Sequence, residues 1–177
     1  MPPKKLPLRP NVCMLVYNNK GKLFLGERFG EPGHWQFPQG GAESRYTPRQ
    51  NVIRELREEL GLQKRSIGKV TKLVATHEYE WRTPPKYAHN KWRGQKQTFW
   101  LVEFVGKDSD IDLTTHKDQE FASWRWCSVA EVKRRAAPFR RVGYVAPLRE
   151  FLEFKRARLK TKTATKKKAS PRRRAQA

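Results

Sequence analysis

Acidic residues are scarce in this chain: 17 Asp and Glu stand against 39 Lys and Arg, for a formal net charge of +22. A chain this cationic is drawn to polyanions, and nucleic acid is the commonest of these in a cytosol. The excess is uneven. Residues 155–177 hold eleven Lys or Arg and no acid, which leaves another +11 for residues 1–154. Cysteine is scarce too, with only Cys13 and Cys127, each in an apolar stretch. Two buried thiols in a reducing compartment fit that pattern better than a disulfide scaffold. There is no run of about 18 apolar residues, so a membrane-spanning helix is excluded. The basic opening Met1-Pro2-Pro3-Lys4-Lys5 is not followed by an apolar core segment, so no secretory signal is expected. A cytoplasmic location with no membrane partner follows as the expectation.

The chain does have enough apolar residues, 37% hydrophobic over 177 positions, for one packed core with extensions. Residues 11–17 and 22–28 read as strands joined by the turn Asn18-Asn19-Lys20-Gly21, a hairpin. Residues 29–46 read as loop around a short strand at 35–38. The clearest helix follows. Thr47 is its N-cap, Pro48 suits its first position, Gln50 completes a capping box, and Val52, Ile53, Leu56 and Leu60 form an apolar stripe that Gly61 ends. Strands are expected at 69–79, 97–105 and 120–128, a long basic loop at 81–96, and helices at 129–135 and 145–159. The division is a basic extension over 1–7, one domain over 8–159, and a tail over 160–177 too polar to order itself. Strands mixed with a few helices, without regular alternation, predict an α+β or αβα sandwich with a mixed sheet. The tail can serve as a solubilising extension or contact nucleic acid or ribosomes. Oligomeric state is not encoded in any of these features.

The chemistry lies in Arg54-Glu55-Leu56-Arg57-Glu58-Glu59-Leu60-Gly61-Leu62. On a helix, Glu55 lies three and four positions from Glu58 and Glu59, so all three acids can face one side. Two such charges about 5 Å apart in a cleft of effective dielectric near 20 repel by roughly 3 kcal/mol, and a divalent cation removes that cost. Oxygen ligands without histidine or thiolate favour Mg²⁺ or Mn²⁺ over zinc. The same acids can equally form a solvated helix face paired with Arg54 and Arg57.

The flanks weigh against the solvated face. Gly40 followed at the right interval by Arg54 to Leu62 resembles the box of the Nudix hydrolases: Gly, five residues, Glu, seven residues, then Arg-Glu-apolar-any-Glu-Glu-any-Gly-apolar. One position departs, because Tyr46 stands where the box has its first glutamate. Glu43 is the candidate to replace it as partner of Arg54. Further along, Arg9-Pro10-Asn11-Val12, Arg28-Phe29-Gly30, Trp35-Gln36-Phe37-Pro38-Gln39-Gly40-Gly41, Gly94-Gln95-Lys96-Gln97 and Glu120-Phe121 with Trp124-Arg125-Trp126 are similar to the bacterial RNA 5′-pyrophosphohydrolases. The dinucleoside polyphosphate hydrolases share much of the same set.

The resemblance implies a Nudix αβα sandwich that hydrolyses phosphoanhydride bonds at triphosphorylated RNA 5′ ends, leaving monophosphorylated RNA and pyrophosphate, or phosphate in two steps. It implies Glu55, Glu58, Glu59 and Glu120 as catalytic and Mg²⁺-binding residues, with Gly40 as a further metal position. By the same resemblance, Arg9 and Arg28 would meet phosphates, while Gln39, Gln95 and Gln97 would line the pocket. Phe139 would stack on the first base with Arg140 beside it, although a place in the core is open to Phe139 as well. Gly41, Arg54 and Gly61 would be structural. Hydrolysis of dinucleoside polyphosphates, or an idle fold retained as an RNA-binding subunit, are the alternatives.

Overall fold

Val12 to Val16 are five consecutive buried apolar residues. Successive side chains of a strand point to opposite faces, so the strand that holds these five must be covered on both. A computed structural model describes residues 5–88 and 90–169, with side chains through 161, and both covers are present. That strand, β1 (Leu8–Tyr17), runs parallel to β6 (Gly94–Phe104), which pairs antiparallel with β5 (Ile67–Glu80). The other edge of β1 is divided. Its Asn11, Val12 and Cys13 pair with β4 (Gln39–Gly41), whereas Tyr17 pairs with Leu23 of β2 (Leu23–Arg28). β2 in turn carries β3 (Trp35–Gln36) and β7 (Phe121–Cys127). β1 and β2 thus part company toward the start of β1, and the site lies where they diverge.

Helix α1 (Pro48–Leu60) covers one face, packing Val52, Leu56 and Leu60 against Val12, Met14, Val16, Phe24 and Val102. Helix α3 (Pro138–Ala169), with the shorter α2 (Val129–Arg135), covers the other, packing Tyr144, Leu148 and Phe151 against Cys13, Leu15, Leu25 and Phe99. Removing one such fully buried side chain, as in Leu56→Ala, costs about 2–5 kcal/mol. Both cysteines are buried and free. None of the helices among the described residues is long and apolar enough to cross a membrane.

The local signals of α1 all act as expected. Thr47 accepts from Gln50 N, the Gln50 side chain returns to the cap backbone, and Gly61 closes the helix at φ 65°. Elsewhere the boundaries move. The short strand expected at 35–38 is two strands, 35–36 and 39–41, because Pro38 has no N–H to keep one ladder going. The last helix begins at Pro138, not Val145. Proline suits a first helical position, and the buried spacing of Tyr144, Leu148 and Phe151 carries the helix past Pro147. α3 also continues through Ala169, ten residues into the segment expected to be disordered. Ala and Lys have high intrinsic helix propensity, which a reading of burial alone leaves out. Residues 170–177 of that segment lie outside the described residues.

Candidate active site

Helix α1 sets its acids at two depths. Glu55 and Glu59 are buried against the sheet, whereas Glu58 lies nearer the surface. Glu55 Oε1 and Glu58 Oε2 are held by Arg54 at 2.7 and 2.8 Å. Glu59 Oε2 accepts a 3.1 Å hydrogen bond from Gln39 N on β4. Glu120, at the mouth of β7, accepts from Gln36 Nε2 at 3.0 Å and faces Arg28 at 3.7 Å. Burial raises the proton affinity of Glu59 well above that of an ordinary carboxyl, and the charges of Glu120 and Glu55 raise it further, against the Gln39 N–H. Burial also lifts Glu55, opposed by Arg54, and Glu120, opposed by Arg28 and Arg140.

Gly40 is where β4 passes closest to these acids. A Cβ there would lie 1.9 Å from the Glu55 carboxyl, so only glycine admits that carboxylate. A Cβ on Gly41 would meet Arg9 Nη2 at 2.0 Å, and the Gly41 carbonyl accepts from Arg54 Nη2 at 2.7 Å. Gly61 is hemmed in by Thr115 and Asp112 in addition to its positive φ.

With Tyr46 in place of the box glutamate, the loop before α1 is held by other means. Asn51, buried on α1, accepts from Glu43 N at 2.9 Å and donates to the carbonyls of Glu43, Tyr46 and Thr47 at 3.0 to 3.3 Å. Glu43 reaches Arg54 at 3.7 Å and Arg45 at 2.7 Å. The expected Glu43–Arg54 pair therefore exists, but Asn51 makes the larger number of bonds. Its signal in the sequence was a lone amide beside the apolar stripe of a helix.

Beside the acids opens a cleft of about 620 Å³ that gathers Arg9, Arg28, Gln39, Gly40, Gln95, Glu120, Phe139 and Arg140 from separate parts of the chain. The Gln39 amide lies between Gln97 Nε2 and Arg140 Nη2, each 2.7 Å away, and with its oxygen toward Arg140 it accepts from that guanidinium. Arg140 also donates to Tyr79 Oη at 2.9 Å and stands 4.8 Å over the Phe139 ring. Phe139 is 57% exposed, so the core position open to it in the sequence is not the one it takes. It meets His34 edge-on at 5.1 Å. Gln97 does not line the cleft. It is 1% exposed and bonded to Asn11, because the Gln39 side chain 2.7 Å away covers it from the cleft. Tyr79, Tyr87 and Trp81 complete the wall, with Arg9 4.8 Å over the Tyr87 ring. Nothing in the sequence distinguished these rings from ordinary strand and loop aromatics.

Among the described residues, no three His, Cys, Asp or Glu side chains stand as a finished cage for one ion. Arg54 draws Glu55 and Glu58 toward itself. The donor set nonetheless fits a hard divalent cation. Glu59 is a buried carboxyl beside two other acids, an arrangement whose electrostatic cost such a cation offsets.

Comparison with known proteins adds three findings. Residues 7–146 match the family model described as the NUDIX domain. The chain is 36% identical over 154 residues to the RNA pyrophosphohydrolase of Sphingopyxis alaskensis, covering 83% of this chain and 94% of that one. It is 36% identical over 147 residues to the RNA pyrophosphohydrolase of Rickettsia conorii, covering 82% and 91%. Among solved structures, the E. coli dihydroneopterin triphosphate pyrophosphohydrolase superposes with a TM-score of 0.60 at 14% identity, covering 80% of this chain and 98% of its own. A C. elegans Ap4A hydrolase does so with 0.57 at 19%, covering 83% and 98%. At such identities the two structures speak to the fold alone.

Proposed function

The chain belongs to the Nudix hydrolases, enzymes that cut phosphoanhydride bonds with the help of divalent metal ions, and from that membership we propose that it acts on triphosphorylated RNA 5′ ends. The observation that carries this reading is the cleft itself. Four arginines, three amides and an exposed aromatic ring line it together with Glu120 and Gly40, beside the acids of α1, a chemistry suited to a charged phosphate chain joined to a base. The curated relatives support it, since those named here are RNA pyrophosphohydrolases matched over most of their length. The product is RNA with a 5′ monophosphate, together with pyrophosphate or phosphate released in two steps.

In this proposal, Mg²⁺ is the cation, with Glu55, Glu58, Glu59, Glu120 and the Gly40 backbone as its candidate ligands. When bound, it would polarise the phosphates and lower the pKa of a water. The chain's own residues do the rest. Phe139 provides a face for the first base, worth about 1–3 kcal/mol, and Arg140 flanks it. Arg9 and Arg28 present guanidinium forks to phosphate oxygens. Gln39 joins the two halves of the site, because its backbone N–H holds Glu59 while its side chain meets Arg140. Of the four acids only Glu120 lines the cleft, which places it to meet the attacking water.

The test is turnover of a triphosphorylated oligonucleotide and of diadenosine tetraphosphate at equal concentration with Mg²⁺. Preferential release of pyrophosphate or phosphate from the RNA is expected, and Glu59→Gln should abolish it. Preference for the dinucleotide would assign the site to dinucleoside polyphosphates. Normal RNA turnover by Glu59→Gln would remove the acids from the chemistry.

A further inference from the structure

A second cleft, of about 850 Å³, runs along the outer face of α1 and shares with the proposed chemistry only Glu58. Tyr46, Arg49, Ile53, Arg57, Lys64 and His116 lie along it. The one acid on its wall, Glu58, is already held by Arg54 at 2.8 Å. Arg49, Arg57 and Lys64 are exposed, and among the described residues they form no salt bridge. Three unpaired cations gathered on one strip, with its single acid already held by Arg54, attract an anion from outside.

Spacing tells which anion. Arg49 and Arg57 are eight positions apart on one helix, about 12 Å along its axis, and Lys64 lies beyond them. A compact anion cannot touch both ends of such a strip. A stacked nucleic-acid strand, with a phosphate about every 3.4 Å along its axis, sets about three or four phosphates over that distance.

The departure from the Nudix box falls on the same surface. A glutamate at position 46 would put a negative charge on the cleft wall. Tyr46 instead is neutral and carries the Arg45 guanidinium over its ring at 4.9 Å and that of Arg54 at 5.9 Å, so the wall stays free of an added acid. The loop can dispense with the acid because Asn51 and Glu43 hold it. The two clefts adjoin across β4. Gly40 lines the first, while Arg54 lines the second and donates to the Gly41 carbonyl at 2.7 Å.

We propose that the outer face of α1 is the docking surface for the body of the RNA substrate. The strand whose 5′ end occupies the first cleft crosses β4 and lays phosphates farther along its backbone on Arg49, Arg57 and Lys64. This rests on the RNA reading of the active site, and the experiment separates the two. For the full chain and an Arg49→Glu/Arg57→Glu double variant, KM and kcat are measured on a triphosphorylated RNA of about 20 nucleotides and on a triphosphorylated dinucleotide, over a series of salt concentrations. For the long RNA, KM should rise at least about tenfold at unchanged kcat, and the slope of log KM on log salt should flatten by about 1.4, or 0.7 per lost phosphate contact on a single strand. The dinucleotide, too short to reach the strip, should be unaffected. An equal rise for both lengths, or none, overturns the proposal. A parallel measurement by fluorescence anisotropy uses the same long RNA with a 5′ hydroxyl, so it needs no catalysis. Weaker binding by the double variant supports the strip even if neither RNA is hydrolysed, a result that would sink only the proposed activity. Equal binding by both proteins rejects the strip.

Discussion

Replacing Glu59 by glutamine should make the metal-free protein more stable while destroying its response to Mg²⁺. Glu59 is 8% exposed, and the proton affinity of its carboxyl is raised by burial and by Glu120 and Glu55. Two carboxylates about 5 Å apart at an effective dielectric near 20 repel by roughly 3 kcal/mol. Glutamine keeps an oxygen for the 3.1 Å bond from Gln39 N and loses only the charge. A gain of about 1–3 kcal/mol is expected, or about 3–9 °C in Tm for a domain of this size. The pH dependence fixes the sign. A group whose pKa is higher folded than unfolded contributes its stability in full below the unfolded value, and that contribution fades as pH rises through the folded value. The wild-type protein in EDTA therefore loses stability relative to Glu59→Gln from about pH 4.5 upward, the ordinary glutamate value, and the gap widens toward the raised one. Thermal unfolding of both proteins at pH 5 and pH 8, in EDTA and in Mg²⁺, measures each quantity. The wild type should gain more from Mg²⁺ at pH 8 than at pH 5, and the variant should gain little at either. A variant less stable than wild type in EDTA at pH 8, or a gap that does not shrink toward pH 5, would refute the reasoning.

Three other substitutions probe separate parts of the site. Asn51→Leu removes the bonds that hold the loop and leaves the Glu43 N–H without its partner, so it should cost about 2–4 kcal/mol in urea unfolding and lower Mg²⁺-dependent turnover. Phe139→Ala should leave Tm within about 1 °C, the ring being mostly exposed, while steady-state kinetics show KM for triphosphorylated RNA raised by about 5- to 150-fold, the equivalent of one stacked base. Gly40→Ala drives a methyl group into the Glu55 carboxyl, and a displacement on the order of 1 Å should reduce turnover about a hundredfold with the circular dichroism spectrum unchanged.

The local physics of α1 was readable residue by residue in the sequence. Thr47, Pro48, Gln50 and Gly61 fix the ends of the helix, and the spacing of Glu55, Glu58 and Glu59 brings three acids within about one turn of each other, with no help from the rest of the chain. Unbroken apolar character from Val12 to Val16 likewise requires a sheet covered on both faces. These features act over a few positions, which is the range that spacing can report. The sequence could not tell which distant side chains share the work. That Asn51 takes over from the missing acid, that Gln97 lies under the cleft while Gln95 lines it, and that Phe139 turns outward to meet His34 all depend on how strands far apart in the chain are stacked. The divided edge of β1, which opens the cleft, and the turning of Glu55 and Glu58 onto Arg54 arise only once desolvation and charge from several elements act at one point.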